Sequence, residues 1–319
     1  MSTSRAEDIR NLRAALKGLG DAFLRWYTYP VAIFHEDFER PLMDSLQALV
    51  PVPVHFVRVE FRLPQWLEPV SRAAPLIVKH YTGHPRSSPI KGFHTHMHGL
   101  LPYSKRGSFG YFHMCRFFAG AGFMLPFFEE FDWYLRFDSD SRCQKKLPDF
   151  FRGMQASGAL YAFNRIFLDA ADVVEGLWNF AQAYAKTPGV SPTFLGDRGS
   201  KRFKALADAW AKEPYPLCSK DRSQGRHPEV TPLANGGGTA HLTECEDRLF
   251  HPVPSFYTNF EVSSLKMLRG QEYQRWFRAV DRNGGIFLHR WGDAPLRFLG
   301  LAMHVPPSKI VKVEGCHHQ

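Results

Sequence analysis

The chain has 319 residues, of which 44% are hydrophobic and 14% aromatic, so it can build one large folded core and global disorder is excluded. Its formal net charge is +9 and its isoelectric point is about 9.3. No helix-turn-helix, zinc-finger or ribonucleoprotein motif accompanies this charge, so we expect no nucleic-acid partner. A basic solvated surface, an anionic membrane face or a nucleoside-diphosphate ligand accounts for it instead.

The cysteines and the N-terminus limit the class of protein further. The five cysteines are Cys115, Cys143, Cys218, Cys245 and Cys316. None of them forms a CxxC pair, which argues against a zinc ribbon or a thioredoxin-type centre, and their disulfide pairing stays open. No stretch has the apolar length that spans a bilayer, and the charged N-terminus lacks the apolar core of a signal peptide.

The first quarter of the chain reads as a helix followed by two strands. Apolar residues at helical spacing predict an amphipathic helix from Arg5 to Trp26. Val31 to Phe34 and Val52 to Phe61 are rich in β-branched and aromatic residues and predict strands.

A histidine-rich stretch, GFHTHMHGL, follows these strands. His94, His96 and His98 alternate, so in a strand the three imidazoles share a face and offer a zinc site. The alternative is a histidine-rich loop without a metal.

The stretch from Tyr111 to Cys143 carries the strongest functional signal. It passes through a Gly-Ala hinge, Ala119 to Gly122, and ends in the hydrophobic strand FDWYLRF followed by Asp138-Ser139-Asp140. Ligands of open α/β sheets lie beyond the carboxyl ends of the strands. Two carboxylates there suit magnesium or manganese, which in turn binds a diphosphate. The alternative is a turn with an Asx cap.

The second half alternates strands and helices. We predict helices at Phe150 to Gln155, Ala170 to Ala185 and Leu265 to Val280. Strands are predicted at YAFNRIF (from Tyr161), at FYTNFEV (from Phe256), within RNGGIFLHRWGDAP and near the C-terminus. Residues 187–252 read as a surface insertion with one short helix, Lys201 to Trp210, within a single domain of residues 1–319. The alternation predicts an α/β fold with a mostly parallel, Rossmann-like sheet.

Four blocks of the sequence resemble one known family. The run MCRFFAGAGF with FDWYLRFDSD is similar to the central signature of the fungal-type α-1,2-mannosyltransferases of glycosyltransferase family 15, close to YRHMCRF and YDWYWRVEPD. Tyr161 to Trp178 resembles YGFTISLYEYEETIPTLW, Ser255 to Val262 resembles HFWSNFEI, and Asn283 to Met303 resembles the GGFYYERWGDAP block. The blocks occur in the family's order.

The resemblance implies a fold, a reaction and a compartment. It implies a glycosyltransferase A type domain that moves mannose from GDP-mannose to a mannose-containing glycan of glycoproteins, with retention, an α-1,2 link and Mn²⁺. It implies a Golgi location, although no signal anchor is visible, and membrane association only if an anchor is missing from this chain. The alternatives are a catalytically inactive glycan-binding homologue and a transferase that uses another nucleotide sugar.

The resemblance also assigns carboxylates and a histidine to the metal. Asp138 and Asp140 fall on the acidic positions of the EPD-like motif, and Asp169 falls on a metal-side glutamate. His318 falls on a manganese-ligating histidine, with its neighbour His317 as the alternative match. Without the resemblance, Asp169 reads as a helix cap and the C-terminal histidines read as a disordered tail.

Four further residues are assigned to donor or acceptor, each with a structural alternative. Glu261 falls on the proposed nucleophile and otherwise reads as half of an ion pair. Tyr111 falls on an active-site tyrosine and otherwise is a core aromatic. Asp293 is either an acceptor-side base or an N-cap. Arg116 binds the diphosphate or pairs with Asp132.

Overall fold

A computed structural model of the chain describes residues 6–62, 109–169, 173–174, 176–190 and 253–318. The helices described are α1 Ala6–Leu19, α2 Arg40–Gln47, α3 Phe109–Arg116, α4 Phe150–Ser157, α5 Leu177–Ala185, α6 Leu265–Arg269, α7 Gln271–Asn283, α8 Gly285–Leu288 and α9 Asp293–His304. Of the helices in this part of the chain, none is long and apolar enough to cross a membrane.

The strands described are β1 Val31–His35, β2 Val54–Arg58, β3 Trp133–Phe137, β4 Ser141–Arg142, β5 Tyr161–Phe163, β6 Ile166–Leu168, β7 Pro254–Phe256, β8 Phe260–Ser264, β9 Ile310–Lys312 and β10 His317–His318. Strands β1 and β2 pair in parallel. A four-stranded sheet has the order β3-β8-β5-β9, with β8 antiparallel to both of its neighbours and β9 parallel to β5. The α/β class is as predicted, but the four-stranded sheet is mixed and not mostly parallel, because β8 lies between β3 and β5 and runs antiparallel to both.

The central sheet is buried on both faces because its strands alternate between two apolar clusters. Tyr161 and Phe163 of β5 belong to the larger cluster, while Ala162 belongs to the smaller one. On β8, Phe260 and Val262 point toward the smaller cluster. Successive strand side chains point to opposite faces, so Glu261, between these two, is directed toward the larger cluster.

The predicted Gly-Ala hinge is present as a break in helix geometry. Helix α3 continues into a π-helical turn, Phe117–Ala121, with non-helical backbone at Gly120. A Cβ at Gly120 would overlap the ring of Phe277 on α7. Glycine therefore allows α7 to pack directly against the hinge.

Two local predictions are wrong. The apolar run Gly285–Leu288, predicted as a strand, forms the short helix α8. A short apolar run fits either structure, and here Gly285 allows the Trp291 ring to pack against the backbone, where a Cβ would overlap it. Helix α9 begins at Asp293 with Gly292 in the N-cap position, so Asp293 is not the N-cap.

A disulfide closes the fold at its C-terminus. Cys143 and Cys316 are bonded, with 4.6 Å between their Cα atoms, and they are 173 residues apart in sequence. Cys115 is a free, buried thiol. The bond joins the segment after β4 to the residue before β10, so it holds the C-terminal strand in position.

Candidate active site

Strand β3 ends in a tight turn that carries two carboxylates. The Ser141 N–H closes this turn by donating to the Asp138 carbonyl at 3.0 Å. Asp138-Ser139-Asp140 therefore forms a turn that is closed by a main-chain hydrogen bond, and the metal role of its two carboxylates stays a prediction. Asp138 and Asp140 are both partly exposed, and they lie where α/β proteins commonly bind ligands. We call residues 138–140 the acidic turn.

A single guanidinium, that of Arg136, joins the acidic turn to helix α9. Its Nε donates to Asp138 Oδ1 at 2.8 Å and its Nη1 donates to Asp293 Oδ2 at 2.5 Å. The Thr258 hydroxyl donates to the same Asp293 oxygen at 2.9 Å. Arg136 and Asp293 are each 5% exposed. Because paired charges away from water hold their geometry, Arg136 fixes the orientation of Asp138.

The two carboxylates that share Arg136 differ in pKa. Burial acts to raise the pKa of Asp293, but Arg136 and Thr258 outweigh burial and hold this pKa below its usual range. For Asp138 burial prevails over Arg136, and Asp293 and Asp140 add to it, so its pKa is raised. A carboxylate with a lowered pKa is a poor proton acceptor. This argues against Asp293 as the acceptor-side base, and its contacts with Arg136 and Thr258 indicate that it shapes the site instead.

The C-terminal strand lies beside the acidic turn. Strand β10 pairs antiparallel with β4, and this register sets His318 opposite Ser141 and His317 opposite Arg142. Ser141 follows Asp140 directly, so the backbone of His318 is next to the acidic turn. The disulfide between Cys143 and Cys316 holds β10 beside β4. The pairing of β10 with β4 thus brings the backbone of a C-terminal histidine beside the acidic turn.

The carboxylates predicted to share one cation are not grouped as a set. Among the side chains that the structure describes, no three His, Cys, Asp or Glu residues lie close enough together to hold a metal ion. Asp169 accepts a hydrogen bond from the Ser255 hydroxyl at 2.8 Å. The described side chains thus do not assemble Asp138, Asp140 and Asp169 around one point. The role of His318 as a metal ligand stays a prediction.

Tyr111 brings a second group of polar residues together. The pKa of Tyr111 is raised, most strongly by the neighbouring Cys115 and by burial. Asp293 and Asp169 act in the same direction, whereas Arg290 lowers this pKa. Tyr111 therefore lies within electrostatic range of Asp169, Asp293 and Arg290. Its role as an active-site tyrosine stays a prediction.

Arg290 is a residue of this group that the sequence analysis did not single out. Its φ of 62° lies in the left-handed region, which costs energy for a residue with a long side chain. Its guanidinium carbon lies 4.8 Å from the centroid of the Tyr111 ring. Its buried Nε has no hydrogen-bond partner within the residues described. Backbone strain beside a polar cluster is typical of functional sites, but no sequence pattern reveals a φ angle.

Glu261 lies in the core with no exposed surface. The Tyr134 hydroxyl donates to its Oε1, and the Tyr161 hydroxyl donates to its Oε2 at 2.6 Å. Arg297, also fully buried, has its Nε 3.4 Å from Oε2. The ion-pair alternative for Glu261 is thus present. In this structure a donor sugar has no access to the carboxylate, and its role as nucleophile stays a prediction.

Glu261 is nevertheless connected to the acidic turn through the sheet. It is the cross-strand partner of Arg136, the residue that holds Asp138 and Asp293. The buried Glu261–Arg297 pair is thus adjacent to Arg136, which in turn contacts Asp138 of the partly exposed acidic turn. A single cation inside WYLRF, two residues before the carboxylates, is the sequence signal that could have identified Arg136.

Arg116 pairs with a different partner from the one predicted. Its Nε and Nη2 donate to the two carboxylate oxygens of Asp281 at 2.7 and 2.8 Å. The predicted pairing with Asp132 is wrong, since this bidentate pair ties α3 to α7. With two of its donor groups occupied by Asp281, Arg116 is a weaker candidate for the diphosphate than Arg290.

Some predictions lie outside the described residues. They are the histidine triad His94, His96 and His98, the helix from Lys201 to Trp210, and all of the 187–252 insertion except residues 187–190. The single-domain division of the chain likewise stays a prediction.

Comparison with known proteins identifies what the chain is similar to. A family model described as "Glycolipid 2-alpha-mannosyltransferase" matches residues 1–318. The O-glycoside α-1,2-mannosyltransferase homolog 4 of Schizosaccharomyces pombe is 24% identical over 96% of this chain and 65% of its own length. The glycolipid 2-α-mannosyltransferase of Saccharomyces cerevisiae is 23% identical over 98% of this chain and 59% of its own length. The chain thus spans less than two thirds of the length of either relative.

Solved structures share the fold. Core-mannan synthase A (CmsA/Ktr4) from Aspergillus fumigatus, in its Mn/GDP form, aligns with a TM-score of 0.67 at 20% identity, over 97% of this chain and 70% of that one. The mannosyltransferase Ktr4p from S. cerevisiae in complex with GDP aligns with a TM-score of 0.68 at 18% identity, over 98% and 68%. The predicted α/β fold of the glycosyltransferase A type is confirmed.

Proposed function

Because the chain belongs to the glycolipid 2-α-mannosyltransferase family, we propose that it transfers mannose from GDP-mannose to a mannose-containing glycan of glycoproteins. The bond between the anomeric carbon and the diphosphate oxygen breaks, and GDP leaves with the electron pair. A bond forms from an acceptor 2-hydroxyl oxygen to the same carbon with retention of configuration, and the hydroxyl proton passes to a base.

The observation that carries the proposal is the acidic turn and the way it is held. The turn lies at the carboxyl end of β3, where a nucleotide diphosphate binds in open α/β sheets. Arg136 orients Asp138 from one side, and the pairing of β10 with β4 brings His318 alongside.

Manganese is part of this proposal. Carboxylate oxygens and an imidazole nitrogen suit Mn²⁺, and the fold relative CmsA/Ktr4 is described in a Mn/GDP form. The donor chemistry of Asp138, Asp140 and His318 fits such a cation, with Asp169 as the further predicted ligand. When bound, the ion would neutralise charge on the departing diphosphate.

Arg290 is proposed as the protein's own positive charge for the diphosphate. Its Nε is buried and without a hydrogen-bond partner in the described part of the chain, and its backbone is strained. A diphosphate oxygen would supply the missing acceptor. Its neighbour Tyr111 would then line the donor sugar, consistent with the role predicted from the resemblance.

Glu261 keeps two candidate roles. By resemblance it is the carboxylate that faces the anomeric carbon, which requires Arg297 and the two tyrosines to release it. By its contacts it is a positioning residue that holds Tyr134, Tyr161 and Arg297 behind the strand of Arg136. The second role needs no rearrangement, and replacing Glu261 by glutamine separates the two.

A second candidate function is a glycan-binding homologue without turnover. It is favoured by the burial of Glu261 and by the lack, among the described side chains, of a grouped three-ligand metal site. Such a protein would bind GDP or glycan without releasing product.

A Golgi location completes the proposal. The family resemblance implies it, and the disulfide between Cys143 and Cys316 supports it, because disulfides form and persist in oxidising compartments. Microscopy of the tagged natural protein with a Golgi marker tests this. Diffuse cytosolic signal would contradict it.

Donor choice and linkage test the activity itself. The protein is incubated with methyl α-mannoside and, in separate reactions, GDP-mannose, GDP-fucose or UDP-glucose, with Mn²⁺ present. The expected product comes from GDP-mannose alone and carries a new bond that an α-1,2-specific mannosidase removes. Transfer from another donor would replace the proposed substrate, and donor binding without product would favour the inactive homologue.

A further inference from the structure

Strand ends of the central sheet meet in a rim that includes the acidic turn. Strands β3 and β5 both run antiparallel to β8, so their carboxyl ends lie at one edge of the sheet together with the amino end of β8. Strand β9 is parallel to β5 and ends at the same edge. The chain then continues to β10, which pairs with β4 directly after the acidic turn. We call residues 138–142, 164–165, 257–259 and 313–318 the sheet rim.

Hydrogen bonds join neighbouring parts of the sheet rim. The Asp138 N–H donates to the Asn259 carbonyl at 3.2 Å, which ties the acidic turn to the start of β8. The Asn164 Nδ2 donates to the Cys316 carbonyl at 3.1 Å, which ties the end of β5 to the residue before β10. The pairing of β10 with β4 completes the circuit. The two asparagines therefore lie on a closed frame whose other members are the proposed metal-binding segments.

Both of these asparagines have an amide oxygen without a partner. The Oδ1 atoms of Asn164 and Asn259 are buried, and within the described residues neither accepts a hydrogen bond. Asn259 is 8% exposed and Asn164 is partly exposed, so each residue still reaches the surface at the rim. Buried polar groups in folded proteins are nearly always paired, because an unpaired one is costly away from water. The two oxygens therefore need a partner from outside the described chain.

The main chain beside these amides is already held. The Asn259 carbonyl accepts from Asp138, and the Phe260 N–H donates to the Tyr257 carbonyl at 3.3 Å, which closes a turn around Asn259. A Cβ at Gly315 would overlap the Phe260 ring, so glycine lets the C-terminal segment pack directly against the start of β8. Groups that are held before a ligand arrives lose little freedom on binding.

The chemistry of the two oxygens selects a class of ligand. The Cys316 carbonyl can only accept, so it holds Nδ2 of Asn164 toward β10 and leaves the oxygen of this amide as the unpaired atom. An unpaired acceptor requires a donor or a cation. A diphosphate has only acceptor oxygens, and positive charges such as Arg290 suit it better. A sugar hydroxyl donates to such an oxygen, and an amide also offers a donor in return.

We propose that the amides of Asn259 and Asn164 bind hydroxyl groups of the mannose that is transferred, and so contribute to the choice of donor sugar. This assignment rests on the function proposed above, in which the diphosphate lies at the acidic turn. The transferred sugar is bonded directly to that diphosphate and so lies beside the same turn. Asn259 is hydrogen bonded to the first residue of the turn, and Asn164 follows the next strand of the sheet.

The test compares the affinities for GDP and for GDP-mannose by calorimetry, with Mn²⁺ and without acceptor. The purified 319-residue wild type, Asn259→Ala and Asn164→Ala are measured, with Asn179→Ala, an exposed asparagine of α5, as the matched control. Each rim variant should bind GDP within about twofold of wild type and GDP-mannose about fivefold more weakly, as expected for one lost hydrogen bond. The control should leave both affinities unchanged.

Analogues of GDP-mannose that each lack one sugar hydroxyl identify the contact. One analogue should bind the wild type about as weakly as GDP-mannose binds Asn259→Ala, and the substitution should weaken that analogue no further. If Asn259→Ala weakened every analogue by the same factor, no sugar hydroxyl would be the partner of this amide.

Thermal unfolding without ligand separates binding from a structural role. Because Asn259 Oδ1 accepts no hydrogen bond within the described residues, Asn259→Ala removes a buried unpaired oxygen and should be at least as stable as wild type. A lower unfolding temperature of this variant would mean that the amide serves the fold, and would overturn the proposal.

The remaining outcomes distinguish this proposal from the proposed function. Equal weakening of GDP and GDP-mannose would assign the amides to the nucleotide or the metal, and unchanged donor affinity with a raised KM for methyl α-mannoside would assign them to the acceptor. Either result would overturn the proposal while leaving the transferase in place. The expected loss of GDP-mannose affinity in a protein that forms no product would instead support the amide contacts and refute the transfer reaction. A wild type that binds neither GDP nor GDP-mannose would overturn both.

Discussion

Replacing Glu261 by glutamine tests whether this carboxylate holds the core or reacts with substrate. Glutamine keeps the size of the side chain and offers groups that can hydrogen bond to Tyr134 and Tyr161. It removes the negative charge opposite Arg297. Both members of this ion pair have no exposed surface, so the Arg297 guanidinium would remain as an unpaired charge away from water.

The expected cost follows from these contacts. Removing one partner of a buried ion pair costs about 3–5 kcal/mol. Arg297 keeps hydrogen bonds to the Tyr273 hydroxyl at 2.5 Å and to the Phe118 carbonyl at 2.7 Å. We therefore expect Glu261→Gln to lower the free energy of unfolding by about 3 kcal/mol, the lower end of that range. Adding Arg297→Met removes the unpaired charge, so the double variant should be more stable than the sum of the single effects by about 2 kcal/mol.

The assay combines urea unfolding with GDP release from GDP-mannose, measured at a temperature at which every variant is folded. The matched control is Ser263→Ala, because Ser263 lies on the same face of β8, is fully buried and is neutral. A cost of about 1 kcal/mol or less is expected there. If Glu261 is a positioning residue, the double variant regains stability and some turnover.

One result would refute this reasoning. Unfolding free energies of Glu261→Gln and wild type that agree within about 0.5 kcal/mol would mean that the ion pair contributes little. If GDP release were also lost, Glu261 would act on the substrate, as the resemblance implies.

Three further changes test other parts of the account. Arg290→Lys should raise the KM for GDP-mannose several-fold and Arg290→Gly about tenfold or more, without loss of stability because glycine relieves the positive φ; an unchanged KM would remove Arg290 from the donor site. Cys316→Ser should lower the free energy of unfolding by about 2–5 kcal/mol and weaken Mn²⁺ binding, because loss of the disulfide releases β10. An unchanged affinity for Mn²⁺, measured by calorimetry, would mean that β10 takes no part in binding the metal. Burial and Arg116 lower the pKa of His113 from 6.5 to about 4. Between these pH values the unfolded chain binds a proton that the folded chain does not, so the free energy of unfolding falls by about 3 kcal/mol as the pH decreases. His113→Gln should weaken this dependence of the unfolding free energy on pH, and an unchanged dependence would contradict the burial of a neutral His113.

The sequence predicts this fold well where one pattern dominates. The helical spacing before Trp26 and the apolar runs of β1, β3 and β8 each lie where they were predicted. The position of the two carboxylates at the end of β3 followed from the same pattern. Local periodicity suffices there because burial of one consistent face sets the structure.

Other features depend on tertiary contacts that no local pattern encodes. The apolar run Gly285–Leu288 fits a strand or a helix. It is helical in the structure, where the Trp291 ring packs directly against Gly285. The pairing of Cys143 with Cys316 cannot be deduced from cysteine spacing. The partner of Arg116 proved to be Asp281, 165 residues away. The resemblance assigns roles to residues of the site, and these roles stay predictions; it did not predict that Glu261 would be enclosed.

The central claim is that the acidic turn supports manganese-dependent transfer from GDP-mannose. The most direct measurement is GDP release with methyl α-mannoside as acceptor, titrated with Mn²⁺, for wild type and Asp140→Asn. We expect turnover that requires Mn²⁺ in the wild type, and a variant that is folded but needs far more Mn²⁺ or does not turn over. Equal turnover in the variant, or turnover that EDTA does not affect, would contradict it.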